Sequence, residues 1–255
     1  RVAPVHHTYL YKYNSAWRLG TFNEDDDDLS GREGTANNNQ VTLGQGVTAE
    51  AVFGGRNNIK GDTSGNTVTT YGNVASALVG GETASGDASD NTVNVYGGYD
   101  GYGGLVDPQG NLIDGLNVMA GGYAFDGAAD RNTVNIYAGN VNAIMSLYGG
   151  YSKTESKDNT LNMYNKGNTV RNLGYFQNLN FYVPEGTTAG ETMIEVTNNA
   201  DVSGAAITAG VYNNTQIRPG QVINLIHDSA NGVTTDENTT YSMMSGRDYV
   251  VTPGL

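Results

Sequence analysis

Residues 90–98 read DNTVNVYGG, and this stretch decides the fold. Val93 and Val95 alternate with polar or aromatic residues, which is the two-residue period of a β-strand. The two valines therefore face one side of the strand, and the opposite side carries Thr92, Asn94 and Tyr96. The alternation predicts a half-buried strand whose valine side contributes to a core.

The stretch recurs along the chain at a nearly constant interval. Its asparagine is followed by Thr and an apolar residue in four copies, at Asn66, Asn91, Asn132 and Asn159. A second motif, an apolar triplet before Gly-Gly, has its first glycines at Gly54, Gly80, Gly121 and Gly149. Each series repeats every 25 to 28 residues apart from one interval of 41. Two independent motifs thus report one period of about 26 residues, which is typical of solenoid proteins.

The repeat predicts an all-β fold in which successive coils stack as a parallel β-helix. A single coil has too few inward side chains to compensate for the entropy lost on ordering it, so neighbouring coils must complete its core. Gly and Asn tolerate a positive φ best, and we expect the turns of each coil at the Gly-Gly and Asn positions. The expected inward ladder consists of Val68, Val93, Val134 and Leu161.

The same register predicts an outward ladder of tyrosines. Its members are Tyr71, Tyr96, Tyr137 and Tyr164. Two interpretations stay open: the rings pack on one another across neighbouring strands, or they form a strip on which sugar rings stack. We take the four tyrosines as candidate binding residues.

The interval of 41 residues indicates an insertion of about 15 residues near positions 98–115. Because each coil of a solenoid contacts only its neighbours, an insertion is accommodated on the surface. The segment is rich in aromatic and acidic residues, which suit recognition of a sugar or of a basic protein patch. A tolerated surface loop without function is the alternative. The candidate binding residues of the insertion are Tyr99, Asp100, Tyr102, Asp107 and Asp114.

Composition excludes several classes of function. The 255 residues include 13 Lys and Arg against 26 Asp and Glu, a net charge of −13. No basic stripe is available to neutralise a nucleic-acid backbone, and no apolar run approaches the roughly 20 residues of a membrane-spanning helix. The chain has no Cys, which excludes disulfides and Cys-based metal sites. We predict neither a cofactor nor a metal centre.

The sequence contains no recognisable nucleophile motif. The segment GDTSG at 61–65 has only a superficial likeness to the nucleophile motif of serine proteases, because Thr63 stands at the serine position. The acidic residues Asp62 and Asp87 fall at one turn of successive coils, where loose cation binding is an open possibility. A β-helical polysaccharide lyase or glycosidase is the alternative to a binding protein. We predict that the chain is not an enzyme.

The NTVN-x-YGG and apolar-Gly-Gly repeats resemble the passenger domains of autotransporter adhesins. The resemblance implies a right-handed parallel β-helix over residues 36–180 and an autochaperone-like C-terminal cap over 181–255. Residues 1–35 match no repeat, and we predict that they form an N-terminal cap. It implies a protein on the bacterial outer-membrane surface, attached only through a C-terminal barrel outside this sequence. The implied partners are a host-cell protein or glycan, or further copies of the protein in cell-cell aggregation.

Overall fold

The computed structural model describes residues 6–13, 16–23, 34–99, 117–139, 141, 146–211 and 217–244. Throughout these ranges the regular structure consists of β-strands, and no α-helix occurs in them. The strands are β1 (His6–Tyr13), β2 (Ala16–Asn23), β3 (Gln40–Leu43), β4 (Thr48–Asn57), β5 (Thr67–Thr70), β6 (Asn73–Thr83), β7 (Thr92–Val95), β8 (Val118–Ala124), β9 (Thr133–Ile136), β10 (Ser146–Ser152), β11 (Thr160–Met163), β12 (Asn168–Gly174), β13 (Asn178–Val183), β14 (Thr192–Asp201), β15 (Ala206–Val211), β16 (Asn224–Asp228), β17 (Val233–Thr234) and β18 (Thr240–Met243).

The strands form two sheets that the chain visits alternately. The ten-stranded sheet has the order β1-β2-β4-β6-β8-β10-β12-β14-β16, with β17 also paired to β14. The eight-stranded sheet has the order β18-β15-β13-β11-β9-β7-β5-β3. Apart from the antiparallel pair β1-β2, all neighbouring strands are parallel. This architecture is a parallel β-helix, as the repeat predicts.

The core lies between the two sheets, and the predicted inward ladder is confirmed. Val93 pairs in register with Val68 on one side and Val134 on the other, and Leu161 follows Val134. All four side chains are completely buried. The opposing ladder of the ten-stranded sheet is also apolar, and it contains Val52, Leu78, Met119, Leu147 and Leu173.

One polar residue interrupts the second inward row of the eight-stranded sheet. Thr70 occupies the row between Leu43 and Val95 and is completely buried. Within the described residues its hydroxyl has no hydrogen-bond partner.

We expect Thr70→Val to raise the free energy of unfolding by about 1 kcal/mol, because the change keeps the side-chain shape and removes an unsatisfied hydroxyl. Denaturant unfolding measures this, and Thr42→Val on the exposed outward side of β3 is the control.

A third stacked side connects the ten-stranded sheet to the next strand of the eight-stranded sheet. Along it, the amide of Thr63 donates to the carbonyl of Asp87 at 2.8 Å, and that of Ala88 donates to Ala128 at 2.9 Å. The turn that follows has a positive φ at Asp90, Arg131 and equivalent residues, with values of 59° and 54°. The expectation that Gly-Gly and the repeat asparagines take this conformation is therefore wrong. The residue before each asparagine takes it.

The repeat asparagines form a buried ladder through the stack. Asn132 Oδ1 accepts hydrogen bonds from the backbone amide and the Nδ2 of Asn91, both at 3.0 Å. The same two contacts link Asn132 to Asn159 and Asn66 to Asn91. Nδ2 of Asn132 also reaches the carbonyl of Ala88. The side chain thereby satisfies backbone groups where each coil turns a corner inside the protein.

The Gly-Gly pairs are required by the close approach of this ladder. A Cβ on Gly80 would lie 2.3 Å from the carbonyl oxygen of Gly121 and 2.7 Å from Cβ of Asn91. A Cβ on Gly121 would lie 2.6 Å from Cβ of Asn132. Any larger residue would have to displace backbone, so glycine and asparagine are a matched pair in each coil.

The repeat changes at the coil that contains β12 and β13. Asn159 is followed after only 18 residues by Gln177, whose Oε1 ends the asparagine ladder by accepting from the amide and Nδ2 of Asn159. Tyr175, at φ 58°, turns directly from one sheet to the other. The third side is therefore missing from this coil. Phe176 fills the space inside it and is almost fully buried.

Beyond this coil the two sheets continue to the C-terminal part of the described chain. Strands β13 and β15 extend the eight-stranded sheet, and β14 and β16 extend the ten-stranded sheet. At the other end, the hairpin β1-β2 adds two strands beside β4. The role of residues 1–35 and 181–255 as caps stays a prediction.

Candidate binding surface

The predicted tyrosine ladder is present and has one further member. Tyr71, Tyr96, Tyr137 and Tyr164 stack in sequence, with ring centroids 5.1, 4.7 and 4.9 Å apart and interplanar angles of 15° to 20°. Tyr182 continues the stack at 4.3 Å and 6°. The sequence reasoning missed Tyr182 because its coil lacks the NTV motif.

The stacked geometry decides what these rings can offer to a ligand. The faces of the inner rings are covered by one another, so their edges and phenolic hydroxyls point outward. A sugar stacks on a ring face, and for the inner tyrosines that face is taken. The outer face of Tyr71 is uncovered, since Gly44 precedes it in the row, whereas at the other end the side chain of Met244 lies over Gly210, which follows Tyr182. Tyr71 is accordingly the most exposed member, at 48%.

Two further rows run parallel to the tyrosines on the outside of the eight-stranded sheet. The central row begins with Thr42 and Thr69 and continues through asparagines whose amides are linked. Nδ2 of Asn94 donates to Thr69, Asn135 donates to Asn94 at 2.9 Å, and Asn162 donates to Asn135 at 2.8 Å. The outermost row is mainly threonine, and in register it comprises Gln40, Thr67, Thr92, Thr133, Thr160, Asn178, Ala206 and Thr240.

We call the outward side of β3, β5, β7, β9, β11, β13, β15 and β18 the ladder face. Its three rows contain only Thr, Ser, Asn, Gln, Tyr, Ala and Gly, with Met244 at the end of the tyrosine row, and these strands place no Asp, Glu, Lys or Arg on it. The chain as a whole has 39 such residues, 13 basic and 26 acidic. A sheet surface that spans eight strands without one charge is therefore the most distinctive surface among the described residues.

The described charges lie on the ten-stranded sheet and on the turns. Arg56 pairs with Glu82 at 3.0 Å on the ten-stranded sheet, and Glu195 contacts His227 there at 2.7 Å. Lys166 pairs with Glu191 at 2.6 Å. The molecule thus separates a charged side from an uncharged one.

The acidic turns use their carboxylates to support the backbone. Oδ1 of Asp62 accepts from the amide of Asp87 at 2.8 Å, and Oδ1 of Asp87 accepts from the amide of Ala128 at 2.9 Å. Oδ1 of Asp130 accepts from the amide of Lys157. Within the described ranges, no group of three or more His, Cys, Asp or Glu is arranged to hold a metal ion.

The insertion differs from its prediction at Tyr99, which is completely buried. Tyr99 forms isolated bridges with Val74 and Val141 and shares their position in the core, while its hydroxyl donates to the carbonyl of Ser76. The prediction that Tyr99 belongs to a binding surface is wrong, because its ring fills a core position of the stack. The other predicted residues of the insertion, Asp100, Tyr102, Asp107 and Asp114, lie outside the described residues.

The ten-stranded sheet has an aromatic cluster that sequence reasoning did not identify. Tyr123 stacks on Tyr151 at 4.4 Å, and Tyr175 contacts Tyr148 edge-on at 4.9 Å. Phe125 is exposed at one margin, also edge-on to Tyr123. The sequence does indicate this cluster, because Tyr123 and Tyr151 follow Gly-Gly at the positions that Arg56 and Glu82 occupy in earlier coils.

Three partly covered tyrosines make stability sensitive to high pH. Burial raises the pKa of Tyr123 above its ordinary value of 10.0, as it does for Tyr137 and Tyr175. The folded state therefore holds these protons more tightly than the unfolded state. The contribution of these tyrosines to the free energy of unfolding is fully present below pH 10 and is lost as the pH rises above 10. We expect the melting temperature to decrease as the pH is raised from about 10 to 12. Tyrosinate absorbance should increase at a higher pH than it does for free tyrosine.

Comparison of the chain with protein-family models, curated proteins and solved structures gives no match. No helix in the described part of the chain has the length and apolar character to cross a membrane.

Proposed function

We propose that the protein is a secreted bacterial surface adhesin of the autotransporter-passenger type, and that it adheres through the ladder face. The observation that carries the proposal is the uncharged surface of eight in-register strands. A solenoid holds such rows rigidly, so side chains meet a partner with little further loss of conformational freedom. The family assignment rests on the resemblance of the repeats, and the surface location follows from that assignment.

The geometry favours binding over catalysis. Ligand sites of enzymes are usually concave and place a few polar groups around one point, whereas the ladder face is a regular sheet surface with the same groups repeated in each coil. The acidic turns weigh against a polysaccharide lyase or glycosidase. Asp62 and Asp87 there accept hydrogen bonds from backbone amides, and the described turns do not bring three acids together around a metal position.

A binding screen on protein-coated beads tests the proposal. The beads are presented with polyuronides, neutral glycans, extracellular-matrix proteins and identical coated beads, and soluble sugar products are measured in parallel. Retention of at least one partner without product release is the expected result. Release of unsaturated or reducing sugar would establish the enzyme instead, and failure to retain any partner would contradict adhesion.

A further inference from the structure

We propose that the tyrosine ladder is a site of oxidative modification, at which a peroxide-dependent one-electron oxidant joins neighbouring rings as dityrosine. Each bond of this kind connects one coil covalently to the next. The proposal goes beyond adhesion, since it concerns the rings of the ladder and not the partner of the ladder face. Three observations carry it: the unbroken stacking of the rings, their access to solvent and the lack of cysteine.

The five rings of the ladder are stacked without interruption. Neighbouring centroids lie 4.3 to 5.1 Å apart, and the interplanar angles are 6° to 20°. Because the rings are nearly parallel and follow strands that pair in register, like atoms of two neighbours lie at nearly the same separation as the centroids. The carbons ortho to the phenolic oxygens are the atoms that a dityrosine bond joins. Rotation about the side-chain torsions brings each of them to its counterpart in the next ring.

One end of the ladder is open to an oxidant. Tyr71 and Tyr96 are exposed, at 48% and 42%, while Tyr137, Tyr164 and Tyr182 are half-buried. Each half-buried ring contacts a neighbour in the stack, so an electron has a short path from the inner rings to the exposed ones. Two successive oxidations of one molecule therefore place two radicals on the same stack.

The coupling restores both phenols. A haem peroxidase takes one electron and one proton from each of two tyrosines, and it reduces one hydrogen peroxide to two molecules of water. The two phenoxyl radicals couple through a bond between their ortho carbons. Each of these carbons then releases its hydrogen as a proton, and each ring oxygen takes up a proton. The product has two hydrogen atoms fewer than the two separate tyrosines.

Few other side chains compete for such an oxidant. The chain has no Cys, which is otherwise the first residue to be oxidised. Met119, Met163 and Met193 are completely buried in the core, and Met243 and Met244 are half-buried. Exposed phenols are therefore the main groups that the oxidant meets.

Dityrosine gives this chain the covalent connections that cysteine cannot supply. The loops that the links close range from 18 residues between Tyr164 and Tyr182 to 41 between Tyr96 and Tyr137. Closing a loop of this kind lowers the conformational entropy of the unfolded chain, as a disulfide does. Oxidised protein should therefore resist unfolding better than untreated protein.

Peroxidase treatment at low protein concentration tests the proposal. Dityrosine is measured by its fluorescence, and cross-linked peptides are located by mass spectrometry from the loss of two hydrogen atoms per link. We expect links between neighbours of the ladder within single chains. We also expect treated wild-type protein to unfold at a higher urea concentration than untreated protein.

Tyr96→Phe combined with Tyr164→Phe keeps a ring at every position of the stack but leaves the remaining phenols two coils apart. Its dityrosine yield should be at least fivefold lower than that of the wild type, and peroxidase treatment should leave its urea midpoint unchanged. Tyr123→Phe is the matched control, because it removes one phenol of the pair that stacks at 4.4 Å on the ten-stranded sheet. Its ladder links should stay within twofold of the wild-type yield.

Circular dichroism shows whether the double variant is folded. If it is not, the single variants make the same test, since Tyr96→Phe and Tyr164→Phe should each abolish only the two links that include the changed position. Wild-type protein without ladder links, or with links chiefly between chains, would overturn the proposal. A folded double variant with the wild-type yield would do the same. Linked wild-type protein that unfolds at the same urea concentration as untreated protein would overturn the stabilising role. None of these outcomes bears on adhesion, which the bead assay tests separately.

Discussion

Val93→Asp is expected to unfold the protein. Val93 is completely buried in the middle of the inward ladder, in register with Val68 and Val134. A carboxylate at this position would have neither water nor a cation beside it, and its burial would cost several kcal/mol. We expect a loss of at least about 4 kcal/mol in the free energy of unfolding, measured by circular dichroism during thermal and denaturant unfolding.

The control for this change is the next residue along the strand. Asn94→Asp adds the same charge on the outward side, and Asp keeps the oxygen that accepts from Asn135. Its effect should stay within about 0.5 kcal/mol. Equal melting temperatures for Val93→Asp and the wild type would show that the register of the eight-stranded sheet is wrong.

Asn132→Ala is expected to have the second largest effect. The change removes the acceptor of two donors of Asn91, and it leaves the carbonyl of Ala88 without its side-chain donor. Each buried polar group left without a partner costs about 1–3 kcal/mol, so the loss from these three groups should be at least about 3 kcal/mol. Urea unfolding of the purified variant measures it.

The matched control lies on the outer asparagine row. Asn162 makes the same kind of side-chain ladder with Asn135 and Asn180, but it is only half-buried. Water can replace the lost hydrogen bonds, so Asn162→Ala should cost less than about 1 kcal/mol. If the two variants lost equal stability, the buried ladder would not have the role assigned to it.

The sequence was sufficient to predict the fold and the core because both follow from one period. A two-residue alternation within a 26-residue repeat admits only one buried side, and Val93 and Leu161 lie there. The tyrosine ladder follows from the same register. Tyr71 and Tyr164 belong to it as predicted.

The buried asparagine ladder, the position of Tyr99 and the uncharged ladder face depended on contacts that a repeat does not encode. Asn132 looks like a turn residue in the sequence, yet it is buried because it bridges three coils through side-chain hydrogen bonds. Tyr99 looks like part of the insertion because it follows Gly98, but the stack uses its ring at the position of Val74. The absence of charge on the ladder face becomes visible only when all eight strands are placed side by side.

We propose that the ladder face is the adhesive surface, whatever partner it meets. Thr133→Glu with Thr160→Glu puts two charges on that face. Thr197→Glu with Asn199→Glu puts the same two charges on exposed positions of β14 in the other sheet. The decisive measurement is the adhesion of beads coated with each variant to the partner that the wild type retains, with melting temperatures recorded alongside. We predict at least a tenfold loss for the first variant and less than a twofold change for the second, with both folded. Equal adhesion of the two variants would contradict the claim.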